Sequence, residues 1–138
     1  MKILLSNNTN SQDGSYEFIN NITHLDPICC NAESTSIIVD NFLSLHEYRG
    51  VQPLLAKICS KLRMNGEICV IDKELGLLSH LFARNSISVE QFNEIFDGGP
   101  LMSLFDGDCI SQILESLGIT ITEKYLVGNN FVIKGVRC

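Results

Sequence analysis

The sequence contains no tryptophan and only three prolines, and its ten lysine and arginine residues are outnumbered by sixteen aspartate and glutamate residues. The formal net charge at pH 7 is -6, and the few basic residues are scattered along the chain. Nucleic-acid binding depends largely on clustered Lys and Arg side chains that neutralise phosphates. We therefore expect no nucleic-acid partner.

Long apolar runs are also missing from the sequence. No stretch reaches the roughly 18 apolar residues that a membrane-spanning helix needs. The apolar run at residues 3–5 is too short for the hydrophobic region of a signal peptide, and no small-residue cleavage pattern follows it. The sequence therefore predicts a cytoplasmic protein without membrane association.

Six cysteines are present, but their spacing contains no C-x-x-C pair and no metal-ligand pattern that includes the three histidines. They are Cys29, Cys30, Cys59, Cys69, Cys109 and Cys138. Cysteines in a reducing compartment usually remain thiols and behave as small buried hydrophobic side chains. We expect all six to be reduced and to bind no metal.

A length of 138 residues, with 45% hydrophobic and 19% charged residues, is typical of one globular domain. No repeat, low-complexity tract or linker divides the chain. Residues 73–105 interrupt an otherwise regular pattern, with helical segments near 75–83 and 89–96. We predict a single domain, residues 1–138, in which the insertion at 73–105 either covers one edge or forms a homodimer contact.

Apolar runs of strand length alternate with helical patterns along the chain. Most of the runs are continuous, which is typical of strands that are buried on both faces in a parallel sheet covered by helices. Helical patterns occupy residues 51–62 and 108–117, the second with Asp108 as its expected N-cap. The predicted strands are residues 2–5, 26–30, 35–40, 67–72, 119–125 and 130–136, with a weaker candidate at 16–22.

The order of these elements predicts an α/β, Rossmann-like fold. Its sheet is expected to be twisted and mostly parallel, and to be flanked by helices on both faces. Only the short turn at Gly128-Asn129-Asn130 separates the last two apolar runs. We therefore expect these two runs to form an antiparallel C-terminal hairpin.

One segment is more specific than the order of elements: from Leu54 to Asp72 a helix, the turn Asn65-Gly66 and an apolar strand follow one another. This segment resembles the one that follows the substrate-facing motif of class I S-adenosylmethionine-dependent methyltransferases. Residues 36–43 are similar to the family's fourth strand with its following loop, and residues 109–136 to its last helix and closing strands. The resemblance implies a methyltransferase-like protein with S-adenosylmethionine as its cofactor and a substrate that the sequence does not identify.

The segments that would bind this cofactor depart from the family pattern. Ser6, Asn7 and Asn8 stand where the resemblance places a glycine-rich loop. Asn20 stands near the position of the acidic residue that binds the ribose in the family, and Asn31 near an acid beside the adenine. Glycine lets the backbone approach a ligand closely, and a carboxylate makes hydrogen bonds roughly twice as strong as those of a neutral amide. These positions therefore predict weak or absent binding of S-adenosylmethionine.

Asp40 and Asn41 follow the predicted strand at 35–40 and are the candidate catalytic residues. Open α/β sheets bind ligands beyond the carboxyl ends of their strands, so this pair could face a substrate, or Asp40 could instead cap a turn. Two functions remain open: a methyltransferase with an unusual cofactor loop, and a non-catalytic binding or assembly module on the same fold. The missing glycines favour an inactive protein.

Overall fold

The computed structural model describes residues 1–6, 15–86, 88–91 and 105–138. Two of the candidate cofactor-binding residues, Asn7 and Asn8, lie outside these ranges, as does much of the second helical segment expected at 89–96. The division of the chain into one domain with an insertion at 73–105 therefore stays a prediction.

Six strands form a single mixed sheet in the order β2-β1-β3-β4-β6-β5. The neighbouring strands from β2 to β4 pair in parallel, whereas β6 pairs antiparallel with both β4 and β5. The predicted Rossmann-like fold with an antiparallel C-terminal hairpin is therefore confirmed. The strands are β1 (Lys2–Ser6), β2 (Glu17–Ile19), β3 (Ser34–Asp40), β4 (Leu62–Lys73), β5 (Ile119–Val127) and β6 (Asn130–Arg137).

The helices follow the sequence pattern closely, with one shifted cap. The second long helical pattern begins after Asp106, whose Oδ1 accepts a hydrogen bond from the Cys109 backbone N–H at 2.7 Å. Asp108, the expected N-cap, instead lies in the first helical turn, where its carboxylate interacts favourably with the positive end of the helix dipole. The helices are α1 (Leu25–Ile28), α2 (Val51–Ser60), α3 (Leu75–Ala83) and α4 (Gly107–Ser116).

The prediction of a strand at residues 26–30 is wrong, because helix α1 occupies residues 25–28. Pro27 explains the difference: it has no N–H for a sheet ladder, but it fits the first turn of a helix. Leu25 is fully buried and Cys29 is 1% exposed, so the apolar character of this segment serves core packing. The segment therefore adds no strand between β2 and β3.

The core lies on one face of the sheet. Alternate strand residues on that face pack against α1, α2 and α4, and their buried side chains form one cluster. We call the opposite face, which carries Ile38, Cys69, Ile71, Val132 and Val136, the open face. Among the described residues no helix joins the lining of the groove on this face. The core cluster includes Leu5, Ile37, Val70 and Ile133 from strands, and Leu25, Leu55, Ile58 and Leu114 from helices.

Helix α3, which begins the predicted insertion, is only lightly packed. Leu78 is fully buried, whereas Leu75 is 38% exposed and Phe82 is 44% exposed. Glu74 fixes the start of this helix, since its Oε2 accepts from the Leu77 N–H at 3.1 Å and its Oε1 from the Gly107 N–H at 2.9 Å. One carboxylate therefore joins the beginnings of α3 and α4.

Candidate functional site

The carboxyl ends of the parallel strands meet at one edge of the sheet. Leu5 is in register with Ile19, and Ser6 with Asp40, so the ends of β1, β2 and β3 are neighbours. Asn20 follows directly after β2, and Asn41 directly after β3. The structure thus brings four of the predicted site residues to the edge where open α/β sheets bind ligands.

Ser6 is the most enclosed of these residues. Its exposed fraction is 1%, and it ends β1 beside the central strand β3. Asn20, one strand further out, is exposed to solvent. The end of β1 is therefore occupied by a buried side chain, whereas the end of β2 presents a neutral amide.

Asp40 and Asn41 form a polar pair with a third residue that sequence reasoning missed. The Asn41 Nδ2 donates to Asp40 Oδ1 at 2.8 Å, and the Lys73 Nζ donates to Asn41 Oδ1 at 3.3 Å. The amide of Asn41 therefore lies between a carboxylate and an ammonium group. Lys73 ends the neighbouring strand β4, and the only sequence signal for it was the charged run that closes an apolar strand.

The backbone of Asn41 is set for this bridging position. Its φ of 48° lies in the left-handed region, which asparagine tolerates better than most residues. Its N–H donates to the Ile71 carbonyl at 2.8 Å, which holds the residue against β4. The chain therefore bends at Asn41, directly after β3, and the Asn41 amide lies between two charged groups.

Burial raises the pKa of the Asp40 carboxyl above its usual value. The hydrogen bond from Asn41 and the positive charge of Lys73 act in the opposite direction and offset part of this rise. A carboxyl group with a raised pKa is better suited to accept a proton near neutral pH than an ordinary surface aspartate. Asp40 therefore has the chemistry of a proton acceptor or of a hydrogen-bond acceptor for a polar ligand.

Asp72 fastens the loop that carries Asn41 to the end of β4. This carboxylate is 1% exposed, and it accepts from the Ser44 N–H at 3.0 Å and from the Lys73 N–H at 2.8 Å. Burial nevertheless raises the pKa of Asp72, against the lowering effect of both hydrogen bonds. The position of the Asp40–Asn41–Lys73 cluster thus depends on a buried acid behind it.

Asn31 lies at the opposite edge of the sheet from the other candidates. It follows α1, and its Oδ1 accepts from the Lys61 Nζ at 3.1 Å. The Lys61 carbonyl in turn accepts from the N–H of Ser34, the first residue of β3. Because residues 25–28 are helical, Asn31 precedes the amino end of β3 and does not follow the carboxyl end of a strand. The structure therefore does not place it near Ser6.

Metal-binding and membrane-spanning features are not found in the described part of the chain. Its His, Cys, Asp and Glu side chains form no group of three or more that could hold a metal ion. None of its helices has the length and apolar character needed to cross a membrane. All six cysteines lie within the described ranges as free thiols, with Cys29 and Cys59 buried.

No protein-family model and no curated protein matches the sequence. Solved methyltransferase structures do match the fold. An O-methyltransferase family protein from Burkholderia thailandensis matches with a TM-score of 0.64 and 11% identity, over 90% of this chain and 36% of that chain. Magnesium protoporphyrin IX methyltransferase from Synechocystis PCC 6803, with bound S-adenosylhomocysteine, matches with a TM-score of 0.61 and 12% identity, over 88% of this chain and 51% of that chain.

A third match is 1,6-didemethyltoxoflavin-N1-methyltransferase from Burkholderia thailandensis, with bound 1,6-didemethyltoxoflavin and S-adenosylhomocysteine. Its TM-score is 0.60 and its identity 14%, over 88% of this chain and 51% of that chain. The chain thus spans about half or less of the length of these three structures. Identities this low show the fold alone: the protein has the Rossmann-like fold of S-adenosylmethionine-dependent methyltransferases.

Proposed function

We propose that this chain is a methyltransferase-like protein in which the binding of S-adenosylmethionine is weakened or lost. The observation that carries the proposal is the environment at the carboxyl ends of β1 and β2. There the buried Ser6 and the neutral Asn20 stand at the two strand ends that a cofactor on this edge would contact.

The described residues are a poor fit to S-adenosylmethionine. A backbone that must approach a cofactor closely needs room that glycine provides, whereas Ser6 carries a buried side chain at the end of β1. Asn20 can offer only neutral hydrogen bonds to a ribose, which are about half as strong as those of a carboxylate. Asn31 lies at the far edge of the sheet beside Lys61 and supplies nothing to this site.

Isothermal titration with S-adenosylmethionine and S-adenosylhomocysteine tests the proposal directly. We expect the parent protein to bind either compound no more tightly than the high micromolar range. We expect Asn20→Asp to increase affinity, because replacing a neutral hydrogen bond with a charge-assisted one adds about half of the roughly 1.5 to 3 kcal/mol that the latter contributes, or about fourfold to tenfold in Kd. Asn31→Asp is the matched control: it adds the same charge at the opposite edge and should leave affinity unchanged.

Two results would contradict the proposal or its placement of the site. A low micromolar Kd for the parent would show that cofactor binding is intact. An equal gain from Asn20→Asp and Asn31→Asp would show an effect of overall charge, with no specific contact to the ribose.

The alternative function, a non-catalytic binding or assembly module, is favoured by the internal pairing at the site. Asn41 joins Asp40 to Lys73, so the charged groups at this edge already have partners within the chain. If neither the parent nor Asn20→Asp binds the cofactor, the module is the better description. In that case the Asp40–Asn41–Lys73 cluster has a structural role at a polar carboxyl edge of the sheet.

A further inference from the structure

The open face is apolar at its centre and has no described helix against it. Its central side chains Ile38, Cys69, Ile71 and Val136 are partly exposed, although they lie on β3, β4 and β6, none of which is an edge strand. Central strands of an α/β sheet are normally covered on both faces, since one layer alone leaves apolar surface in water. A second layer on this face would bury these side chains.

A broad groove runs across the open face between Tyr16 and Tyr125, with a volume of about 870 Å³. Every described residue that lines it belongs to a strand, except Tyr16, which precedes β2. Each tyrosine ring is paired with a lysine: the Nζ of Lys2 lies 5.6 Å from the Tyr16 centroid, and that of Lys134 lies 5.8 Å from the Tyr125 centroid. The groove thus has an apolar floor and amphipathic sides.

We propose that a second copy of this chain covers the open face, so that the protein is a homodimer with two sheets packed face to face. Sheet-on-sheet packing is a general way to bury two half-covered sheets, with the layers about 10 Å apart. This inference does not depend on whether the protein binds S-adenosylmethionine.

The charges on the open face suit a second copy. The chain as a whole carries a net charge of -6, but the charged residues around the apolar centre are balanced in sign. Two copies can therefore approach through this face without the repulsion that the rest of the surface would produce. The balanced set is Lys2, Lys73 and Lys134 with Asp40, Glu67 and Glu123.

The central strand β4 is self-complementary along its length. Every second residue of β4 lies on the open face, namely Glu67, Cys69, Ile71 and Lys73. Two apolar side chains therefore lie between an acid and a base. A two-fold axis that lies between the two sheets, at right angles to β4 and midway between Cys69 and Ile71, places Glu67 opposite Lys73 of the second copy, twice in each dimer. It also packs Ile71 against Cys69 of the second copy at the centre.

The projected area of the open face reaches about two thirds of that of a standard dimer contact. Six strands at a spacing of about 4.8 Å and a length of about seven residues present a face of roughly 24 by 23 Å. Because side chains protrude from the sheet, the accessible area is larger than this projected area and approaches the roughly 800 Å² per partner of a standard interface.

Light scattering after size-exclusion chromatography, over roughly a hundredfold range of protein concentration, measures the oligomeric state. We expect the parent to have twice the chain mass of 15.3 kDa. Ile71→Glu should shift it to the monomer, because a carboxylate would be buried at the centre of the interface. Leu126→Glu is the matched control, since Leu126 is 55% exposed but lines a separate groove beside α3. Circular dichroism confirms that both variants are folded.

Charge reversal tests the proposed register without altering the apolar centre. Glu67→Lys alone should raise the dimer dissociation constant by about tenfold or more, since it places Lys opposite Lys73 of the second copy. Combining Glu67→Lys with Lys73→Glu restores opposite charges and should recover the dimer. A double variant that remains as weak as Glu67→Lys overturns the proposed arrangement.

Two further results would overturn the proposal. If the parent protein is monomeric at every concentration, no second copy binds to the open face. If Leu81→Glu on α3 dissociates the dimer whereas Ile71→Glu does not, the contact lies in the 73–105 segment instead of the open face.

Discussion

Lys73 donates a hydrogen bond from its Nζ to the Oδ1 of Asn41 at 3.3 Å, across a separation of 32 residues in the sequence. The contact joins the ends of two adjacent parallel strands, β3 and β4. It also brings a positive charge close enough to act on the carboxyl group of Asp40. The electrostatics of the candidate site are therefore set by residues from two separate strands.

Removing either partner of Asp40 should raise the pKa of this carboxyl further. The hydrogen bond from Asn41 lowers the pKa more than the charge of Lys73 does, so we expect a larger rise in Asn41→Gly than in Lys73→Met. Glycine is chosen at position 41 because the residue has a φ of 48°. NMR titration of the Asp40 carboxyl carbon measures the effect in each variant.

Lys134→Met serves as the control for this series, because Lys134 pairs with Glu123 at 3.4 Å and is not among the groups that shift Asp40. An Asp40 pKa that stays unchanged in Asn41→Gly would mean that the amide does not interact with this carboxyl in solution.

Asp26 should make stability depend on pH in the acidic range. Its carboxylate pairs with Lys61 at 2.6 Å and with Lys57 at 2.9 Å, and these hydrogen bonds lower the pKa of Asp26 from 3.8 to about 2. The folded state thus binds this proton less tightly than the unfolded state, so the stabilisation is present above about pH 4 and is lost as the pH falls towards 2. Asp26→Asn should melt at a lower temperature than the parent at pH 7.

The difference in melting temperature between Asp26→Asn and the parent should shrink progressively from pH 4 to pH 2. Added salt should also reduce it at pH 7, because Asp26 is 58% exposed and its ion pairs are screened. A difference that persists undiminished at pH 2 would exclude the ion pairs as its origin.

Gly135 should not accept a side chain, although it lies in the middle of strand β6. A Cβ at this position would collide with the Cγ2 of Ile119 and lie 3.0 Å from the Thr120 carbonyl oxygen. Overpacking of this kind usually costs about 1–3 kcal/mol, so Gly135→Ala should lower the free energy of unfolding by that amount. Urea denaturation measures the change.

Gly50→Ala is the matched control, because nothing lies within 4 Å of the added Cβ and the φ of Gly50 is -86°. Similar losses in both variants would indicate a general effect of replacing glycine and would contradict the close packing of β6 on β5.

The cysteines should differ in their reactivity towards a thiol reagent in the native protein. Cys30 and Cys138 are exposed and should react first, whereas Cys29 and Cys59 are buried. Burial also raises the pKa of the Cys59 thiol to about 11, which leaves little reactive thiolate. If the protein is reduced and metal-free, as the sequence predicts for a cytoplasmic chain, unfolding should expose all six thiols. A stoichiometric zinc signal in elemental analysis would contradict this.

The sheet could be predicted because its strands are apolar runs with clear ends. Lys2–Ser6 and Ser34–Asp40 are short runs rich in Ile, Leu and Val, and the turn at residues 128–130 separates β5 from β6 without ambiguity. Helix α2 was equally clear, since Leu54, Leu55 and Ile58 recur at helical spacing and are all buried. These signals are local and therefore visible in one sequence.

The errors concern features that depend on contacts between distant segments. Residues 26–30 are as apolar as a strand, and only Pro27 indicated a helix that packs on the core. The predicted cofactor role of Asn31 depended on that strand, and in the structure its side chain accepts a hydrogen bond from Lys61. Lys73 could not be associated with Asn41, because the register between β3 and β4 is not encoded in either segment alone.

The position of β6 in the sheet has a consequence for the order in which the protein can fold during synthesis. β5 is made before β6, but β6 lies between it and β4, so β5 has no strand partner until residues 130–137 have left the ribosome. Until then β5 remains a chain segment with unpaired backbone groups, held near α4 by the short connection between them. We therefore expect the parallel half of the sheet to form first, while α4 and β5 join it only after translation of β6.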